Sequence, residues 1–220
     1  MGTVIRRPLH ALGAAAALAV LLLAPGCGLF KPASPEIGGG KALIGDYTSP
    51  DACLSTMKLG IENKGKGLQV YIGALADSSI DKVGFHAWFD PADWNSAQNS
   101  NPPADWDLGY ERDFFNNFAI KRSYSYLMVW APDSFHFDNN TGDDQQLLHR
   151  HYEVFSLEPT QGGVDSVLFA VGYADLFFVR LSAARWVIRR WDDRIDPVIG
   201  ANPANELWRT IGYRRLKPSG

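Results

Sequence analysis

Apolar residues in the first half of the chain recur at helical spacing. The segment Ser49-Pro50-Asp51 is a helix-start signal, with a proline just inside the helix and an acid in its first turn. The apolar positions that follow are Leu54, Met57 and Ile61. Glycines at 65 and 67 end this pattern, and a second short helix is predicted over 68–75. A third is predicted over 106–118, where Trp106, Tyr110, Phe114 and Phe118 recur every four residues and share one face.

The second half of the chain has the pattern of β-strands. A first strand is predicted over 83–89, and Asp90-Pro91 ends it. Four more strands are predicted over 124–131, 148–157, 167–181 and 185–194. Polar segments rich in Asn, Asp and Pro predict loops over 95–105 and 132–144, and a turn over 160–165. Helices followed by hairpin-linked strands favour an α+β domain with a mostly antiparallel sheet.

The N-terminal segment 1–26 has the pattern of a cleaved signal peptide. Arg6 and Arg7 precede an uncharged Ala/Leu-rich run, and Pro25-Gly26 leads to Cys27. The apolar run is too short to span a bilayer, which takes roughly 20 residues. The stretch 23–27 resembles a bacterial lipobox, which implies cleavage before Cys27 and a diacylglyceryl thioether on its sulfur. The alternative is an ordinary secretory signal that leaves Cys27 as a plain thiol.

The expected organisation is a lipoprotein signal peptide over 1–26, a flexible tether over 27–42 and a single α+β domain over 43–220. Pro and Gly dominate the tether, as in flexible linkers. By resemblance to other lipoproteins, Gly28 in place of Asp after the cysteine implies the outer membrane, on its periplasmic face. The lipid on Cys27 is then the contact with the membrane.

Charge argues against nucleic acid as a partner. The chain carries a net charge of −3, which becomes −5 once residues 1–26 and their two arginines are removed. Nucleic-acid binding takes a clustered basic face. Arginines do gather near the C-terminus, but acids are interleaved with them, which favours a solvent-exposed face laced with salt bridges. These arginines are Arg189, Arg190, Arg194, Arg209, Arg214 and Arg215.

Neither the cysteines nor the histidines indicate a metal or a cofactor. If Cys27 is lipidated, Cys53 has no partner for a disulfide and is expected to be a small buried hydrophobe. His149 and His151 share a strand face, and His136 with Asp138 forms a second pair that together could hold a metal. Exposed strand-edge histidines are the favoured interpretation, because no third clear ligand accompanies them.

The element order resembles that of the nuclear transport factor 2-like, or SnoaL-like, superfamily over about 45–215. The local pieces that carry the resemblance are residues 49–50 with Tyr71 and Leu75, the strand and stop at 85–91, the last strand at 186–192, and Trp208 with Tyr213. The resemblance implies a cone-shaped, cystatin-like α+β domain. Three N-terminal helices would pack on a curved, mostly antiparallel sheet, with a pocket at the open end. Members of the superfamily include isomerases, dehydratases, cyclases and non-enzymatic modules, so the fold does not fix the function.

Aromatic residues are the predicted ligand-binding set of that cone. The candidates are Trp88, Trp106, Tyr110, Trp130, Tyr152 and Trp186. Such walls suit a small apolar ligand that a few polar groups orient. The alternative is that each one fills the core. The helical face of Trp106 is expected to meet Trp186 on the late strand and to leave at most a modest cavity.

Candidates for acid–base chemistry inside a cone are His86, Asp90, Asp93, Tyr126 and Asp175. Asp175 stands within an apolar strand, where burial would raise its pKa. An outward-facing position is favoured, because a charge on an alternating strand usually points away from the core. No catalytic residue is assigned from these candidates.

Two functions from different classes remain open. The favoured one is an envelope-anchored lipoprotein whose non-catalytic domain binds a small apolar ligand or an envelope protein. The alternative is a lyase or isomerase that works without a metal and uses an acidic or His residue in the cone. A buried His–Asp or Tyr–Asp pair in an open cavity would favour the enzyme. A closed, fully packed cone would favour a third role, in envelope assembly.

Overall fold

The computed structural model describes residues 42–63, 65–97, 103–120, 124–198 and 210–216. The predicted signal peptide, Cys27 and nearly all of the tether lie outside these residues, as does Trp208. The boundaries proposed for those segments therefore stay predictions. Among the residues described, no helix is long and apolar enough to cross a membrane.

The described residues form several short helices and one longer helix of 13 residues. The helices are α1 (Pro50–Glu62), α2 (Leu68–Gly73), α3 (Ser78–Asp81), α4 (Pro91–Ala97), α5 (Leu108–Phe115), which continues as a π-helix (Asn116–Ile120), and α6 (Ile211–Leu216). α1 begins as the sequence predicts, because the Ser49 hydroxyl accepts a hydrogen bond of 3.1 Å from the Ala52 amide and Pro50 follows directly.

One sheet contains the seven strands of the described residues. The strands are β1 (His86–Trp88), β2 (Trp106–Asp107), β3 (Ser125–Pro132), β4 (Asn139–Gly142), β5 (Gln145–Thr160), β6 (Gly163–Ser182) and β7 (Arg185–Arg194). Their order is β2-β1-β7-β6-β5-β3, and β4 pairs with β5 outside this path. All pairs are antiparallel except β1 with β7. Register shifts at 154/155 and 177/178 are bulges, which bend long strands.

The core lies between the helices and one face of this sheet. Alternate residues of β5 are buried, among them Leu148, Tyr152 and Val154. α1 is tied to two strands, since Cys53 Sγ donates to the Trp186 carbonyl at 3.1 Å and Lys58 Nζ donates to the Met128 carbonyl at 2.7 Å. Burial raises the pKa of the Cys53 thiol to about 12, which fits the expected inert, buried cysteine.

The α+β class expected from the sequence is confirmed, and three local predictions are wrong. Trp106 and Asp107 form a strand ahead of α5, because the Asp107 carboxylate caps the helix at the amides of Gly109 and Tyr110. The start of the loop predicted at 95–105 is helical, since Asp90 caps the Ala92 amide at 2.9 Å and α4 runs to Ala97. The loop predicted at 132–144 contains β4.

Candidate functional site

The inside of the domain holds a buried ion pair. Arg215 of α6 and Glu111 of α5 both have fully buried side chains. The guanidinium donates two hydrogen bonds of 2.8 Å, from Nε to Glu111 Oε2 and from Nη2 to Glu111 Oε1. The sequence-based prediction of a solvent-exposed arginine face is therefore wrong for Arg214 and Arg215, because the helix that carries them packs into the interior.

Two further donors hold the Glu111 carboxylate. The Tyr71 hydroxyl of α2 donates to Oε1 at 2.5 Å, and the Trp106 indole of β2 donates to Oε2 at 2.7 Å. Burial and the Glu111 charge raise the pKa of Tyr71 well above its ordinary value, so this hydroxyl stays protonated as a donor. Four hydrogen bonds thus compensate the charge of Glu111.

A second buried carboxylate, Asp193 of β7, lies beside this pair. Its Oδ1 accepts from the Tyr152 hydroxyl at 2.7 Å and the Trp191 indole at 3.2 Å. Its Oδ2 accepts from the Gly212 amide at 2.5 Å and lies 3.6 Å from Arg215 Nη1. Burial raises the pKa of Asp193 to about 7, against the opposing effect of Arg215 and of the hydrogen bond from Tyr152.

The Tyr152–Asp193 pair has the chemistry of a general acid–base catalyst, with a carboxyl pKa near neutrality. However, backbone amides of α6 form hydrogen bonds to both groups. The Ile211 amide donates to the Tyr152 hydroxyl at 2.8 Å, and the Gly212 amide donates to Asp193. Tyr152 and the Asp193 side chain are 0% exposed. The pair that would favour an enzyme is present, but it is packed against the chain's own C-terminal helix.

The acid–base candidates from the sequence occupy other places. His86 is exposed and pairs with Asp105 at 2.8 Å, while Asp90 caps α4 and accepts from the Ile195 amide at 3.2 Å. Asp93 and Tyr126 are buried. The first accepts a hydrogen bond from Thr210, and the second packs on Phe118, with ring centroids 4.2 Å apart. None of these residues is in the Tyr152–Asp193 pair: Tyr152 was a candidate only as an aromatic wall, and no sequence pattern indicated Asp193.

His149, His151 and Asp175 lie on the sheet face that points away from the core, and His136 lies between β3 and β4. His149 Nδ1 is 2.6 Å from Asp175, whose carboxylate also accepts from Arg194 at 2.7 Å. The favoured outward position of Asp175 is thus the one observed. His136 pairs with Asp133 at 2.8 Å, His151 lies 3.3 Å from Asp196, and Arg150 binds Asp138. Within the described ranges, no three His, Cys, Asp or Glu side chains are placed to hold a metal ion.

An aromatic cleft opens near the sheet edge formed by β1 and β2. Its volume is about 240 Å³, and its walls are Ala87, Trp88, Phe89, Trp94, Pro103, Ala104, Asp105 and Trp106. Phe89 stacks on Trp94 at 6.1 Å and meets Trp106 edge-on at 5.4 Å between ring centroids. We call this set of residues the aromatic cleft.

The predicted aromatic residues fall into three places. Trp88 and Trp106 line the aromatic cleft, and Tyr110 contacts Trp106 with ring centroids 5.6 Å apart. Trp130, which is half-buried, packs against the buried Tyr152 with ring centroids 5.8 Å apart. Trp186 is buried, with the Arg180 guanidinium 5.9 Å from its ring. Phe89 and Trp94 were not among the predicted residues, although both lie close to the Asp90-Pro91 stop that ends the predicted strand.

No family model and no curated protein matches the chain. Similar solved structures include ActVI-ORFA from Streptomyces coelicolor, with 10% identity and a TM-score of 0.47 over 66% of this chain and 92% of that one. A candidate scytalone dehydratase from Novosphingobium aromaticivorans has 5% identity and a TM-score of 0.45, over 66% and 80%. A ketosteroid isomerase-like protein from Erwinia carotovora atroseptica has 10% identity and a TM-score of 0.42, over 67% and 94%. These similarities transfer no site or activity to this chain.

Proposed function

We propose that the chain is an envelope-anchored lipoprotein whose domain binds a small, flat apolar ligand in the aromatic cleft without catalysing a reaction. The signal pattern of residues 1–26 and Cys27 supports the anchor. The arrangement of Trp88, Phe89, Trp94 and Trp106 around one opening supports the ligand. This arrangement is the observation on which the proposal depends.

The aromatic cleft is partly open and partly rigid. Trp88 is 62% exposed, with the guanidinium of Arg190 centred 5.4 Å from its ring. On the other side, Trp106 is 6% exposed, and its indole N–H is fixed by Glu111. A ring fixed in this way loses little freedom when a ligand stacks on it, which favours binding.

The size and polarity of the cleft limit the class of ligand. Sites for drug-sized ligands are roughly 300–1,000 Å³, so a cleft of about 240 Å³ fits one or two fused rings. Asp105 is the one charged residue among the lining residues, and its carboxylate pairs with His86. A hydroxyl on the ligand has an acceptor there, whereas an anionic substituent would meet the Asp105 charge. We therefore infer a neutral aromatic ligand.

The alternative function, a metal-independent lyase or isomerase, has one specific observation in its favour. Tyr152 and Asp193 form the Tyr–Asp pair that such chemistry uses. In the folded chain both groups bind α6 instead of a substrate. Catalysis at this pair would therefore require α6 to move away from Tyr152 and Asp193. Binding in the aromatic cleft requires no such movement.

Calorimetric titration with 2-naphthol, a neutral two-ring probe, tests the proposal. We expect saturable binding to the wild-type chain. Trp88→Ala and Trp94→Ala should each weaken it about 2- to 12-fold, because an aromatic pair contributes about 0.5–1.5 kcal/mol beyond its buried area. Phe137→Ala is the matched control, since this aromatic side chain is 91% exposed and lies outside the cleft. Equal affinity of all four proteins, or no binding at all, would contradict the proposal.

A further inference from the structure

The Arg215 guanidinium occupies a pocket whose walls come entirely from other parts of the chain. Glu111 binds two of its nitrogens, and the Trp191 ring lies with its centroid 4.3 Å from Cζ. Asp193 faces the third nitrogen, Nη1, at 3.6 Å. A carboxylate, an aromatic face and a second carboxylate are the groups that recognise a planar cation in proteins. We call this set the guanidinium pocket.

Side-chain donors outside α6 hold both carboxylates of the guanidinium pocket, beside the Gly212 amide of α6 that binds Asp193. Tyr71 and Trp106 fix the two oxygens of Glu111, and Tyr152 and Trp191 donate to Asp193. All four donors belong to α2 and to strands of the sheet. The orientation of both carboxylates therefore follows from the core of the domain, as it would in a receptor built to take a cation.

The occupant belongs to a short helix near the end of the described chain. α6 has six residues, all of them buried. One nitrogen of its guanidinium, Arg215 Nη1, is buried with no hydrogen-bond partner among the described residues. The guanidinium of Arg215 is thus not fully satisfied in this pocket, since its Nη1 comes no closer than 3.6 Å to Asp193.

We propose that the guanidinium pocket is a binding site for a small molecule that bears a guanidinium group, and that Arg215 is its intramolecular competitor. A free ligand would take the two hydrogen bonds to Glu111 and the stacking position on Trp191. It could also approach Asp193 more closely than 3.6 Å, because the geometry of a helix does not constrain it. Trp106 contributes to both this site and the aromatic cleft, but the proposal does not depend on the function proposed for that cleft.

Rescue of the full chain carrying Arg215→Ala tests this proposal. The substitution should lower the melting temperature, and millimolar methylguanidinium chloride should raise it again by about 2–4 °C, with a saturable dependence. Sodium chloride at the same ionic strength is the control for salt. Arg214→Ala is the matched variant, because the Arg214 guanidinium lies on Phe169 at 4.4 Å, outside the pocket, and should show no rescue. No rescue of Arg215→Ala, or equal effects on both variants, would overturn the proposal.

A second measurement covers the case in which Arg215→Ala does not fold cooperatively. Hydrogen exchange of the wild-type chain is followed at Ile211 and Gly212, whose amides donate to Tyr152 and Asp193. We expect methylguanidinium to lower the protection of these two amides in a concentration-dependent way, while sheet amides such as that of Val154 are unchanged. Unchanged protection of α6, or a uniform loss across the chain, would overturn the proposal.

Discussion

The carboxylate of Glu111 and the guanidinium of Arg215 form two hydrogen bonds of 2.8 Å across 104 residues of sequence. Both side chains are fully buried, so the pair connects the C-terminal helix to the interior of the domain. This contact holds α6 in place, and α6 covers the Tyr152–Asp193 pair. The aromatic cleft is therefore the proposed site for ligands.

Removing the carboxylate of this pair should destabilise the domain strongly. Glu111→Ala leaves the Arg215 charge buried and without its main partner, which costs about 3–5 kcal/mol. Urea unfolding measures the change in the free energy of unfolding. Asp105→Asn is the control, since the His86–Asp105 pair is on the surface and such pairs contribute about 0–1 kcal/mol. Similar small losses in both variants would show that the buried pair does not stabilise α6.

The stability of the domain should fall as the pH rises between about 4 and 7 because of Asp193. Its pKa in the folded state is about 7, above the ordinary value of 3.8. Between these values the folded chain binds more protons than the unfolded chain, so raising the pH favours unfolding. Asn in place of Asp193 does not titrate, and Asp193→Asn should remove this part of the pH dependence. The change in the urea midpoint between pH 5 and pH 7.5 measures this pH dependence. The same change in the wild-type protein and in Asp193→Asn would contradict a raised pKa of Asp193.

A methyl group at Gly212 should displace α6. An added Cβ would come within 2.8 Å of Asp193 Oδ2 and 2.9 Å of Phe89 Cδ1, which is closer than real contacts allow. We expect Gly212→Ala to cost about 1–3 kcal/mol in urea unfolding, as overpacking does. Gly162→Ala is the control, because nothing lies within 4 Å of its added Cβ, and it should stay within about 0.5 kcal/mol. Equal stability of the two variants would place α6 outside the core.

Lipidation should depend on Cys27 and not on Cys53. In a bacterial host, Cys27→Ser should abolish the incorporation of labelled palmitate and the partition of the protein into membranes, since acyl chains provide the anchor. Cys53→Ser should retain both, because the Cys53 thiol is buried and bound to the Trp186 carbonyl. If a cleaved Cys27→Ser protein still partitions with membranes, the lipid assignment is wrong.

Local patterns predicted much of the fold. The start of α1 could be predicted because Ser49 and Pro50 act within one turn of the helix. The strands β5 and β7 could be predicted because alternation is a property of neighbouring residues. The parallel pairing of β1 with β7 could not, since its partners, such as Ala87 and Trp191, are far apart in the sequence.

The buried Arg215–Glu111 pair could not be predicted from the sequence, for a physical reason. Arg215 stands among other arginines and acids, and such a pattern usually marks a solvated face. Burial of Arg215 depends on Glu111 of α5, which lies far away in the sequence. Tyr71 and Trp106 in turn donate hydrogen bonds to the Glu111 carboxylate. The aromatic cleft was partly predictable, because Trp88 and Trp106 were candidates. Trp94 was not predicted, because the composition of its segment is typical of a loop and gave no sign of the helix α4.

The most direct test of the binding site is the indole N–H spectrum of the chain during titration with 2-naphthol. We expect the resonances of Trp88 and Trp94 to shift with the ligand concentration, because these rings line the aromatic cleft. That of Trp191 should stay unchanged, because this ring is 0% exposed and lies outside the cleft. A shift at Trp191, with Trp88 and Trp94 unaffected, would place the ligand in the interior of the domain and contradict binding in the aromatic cleft.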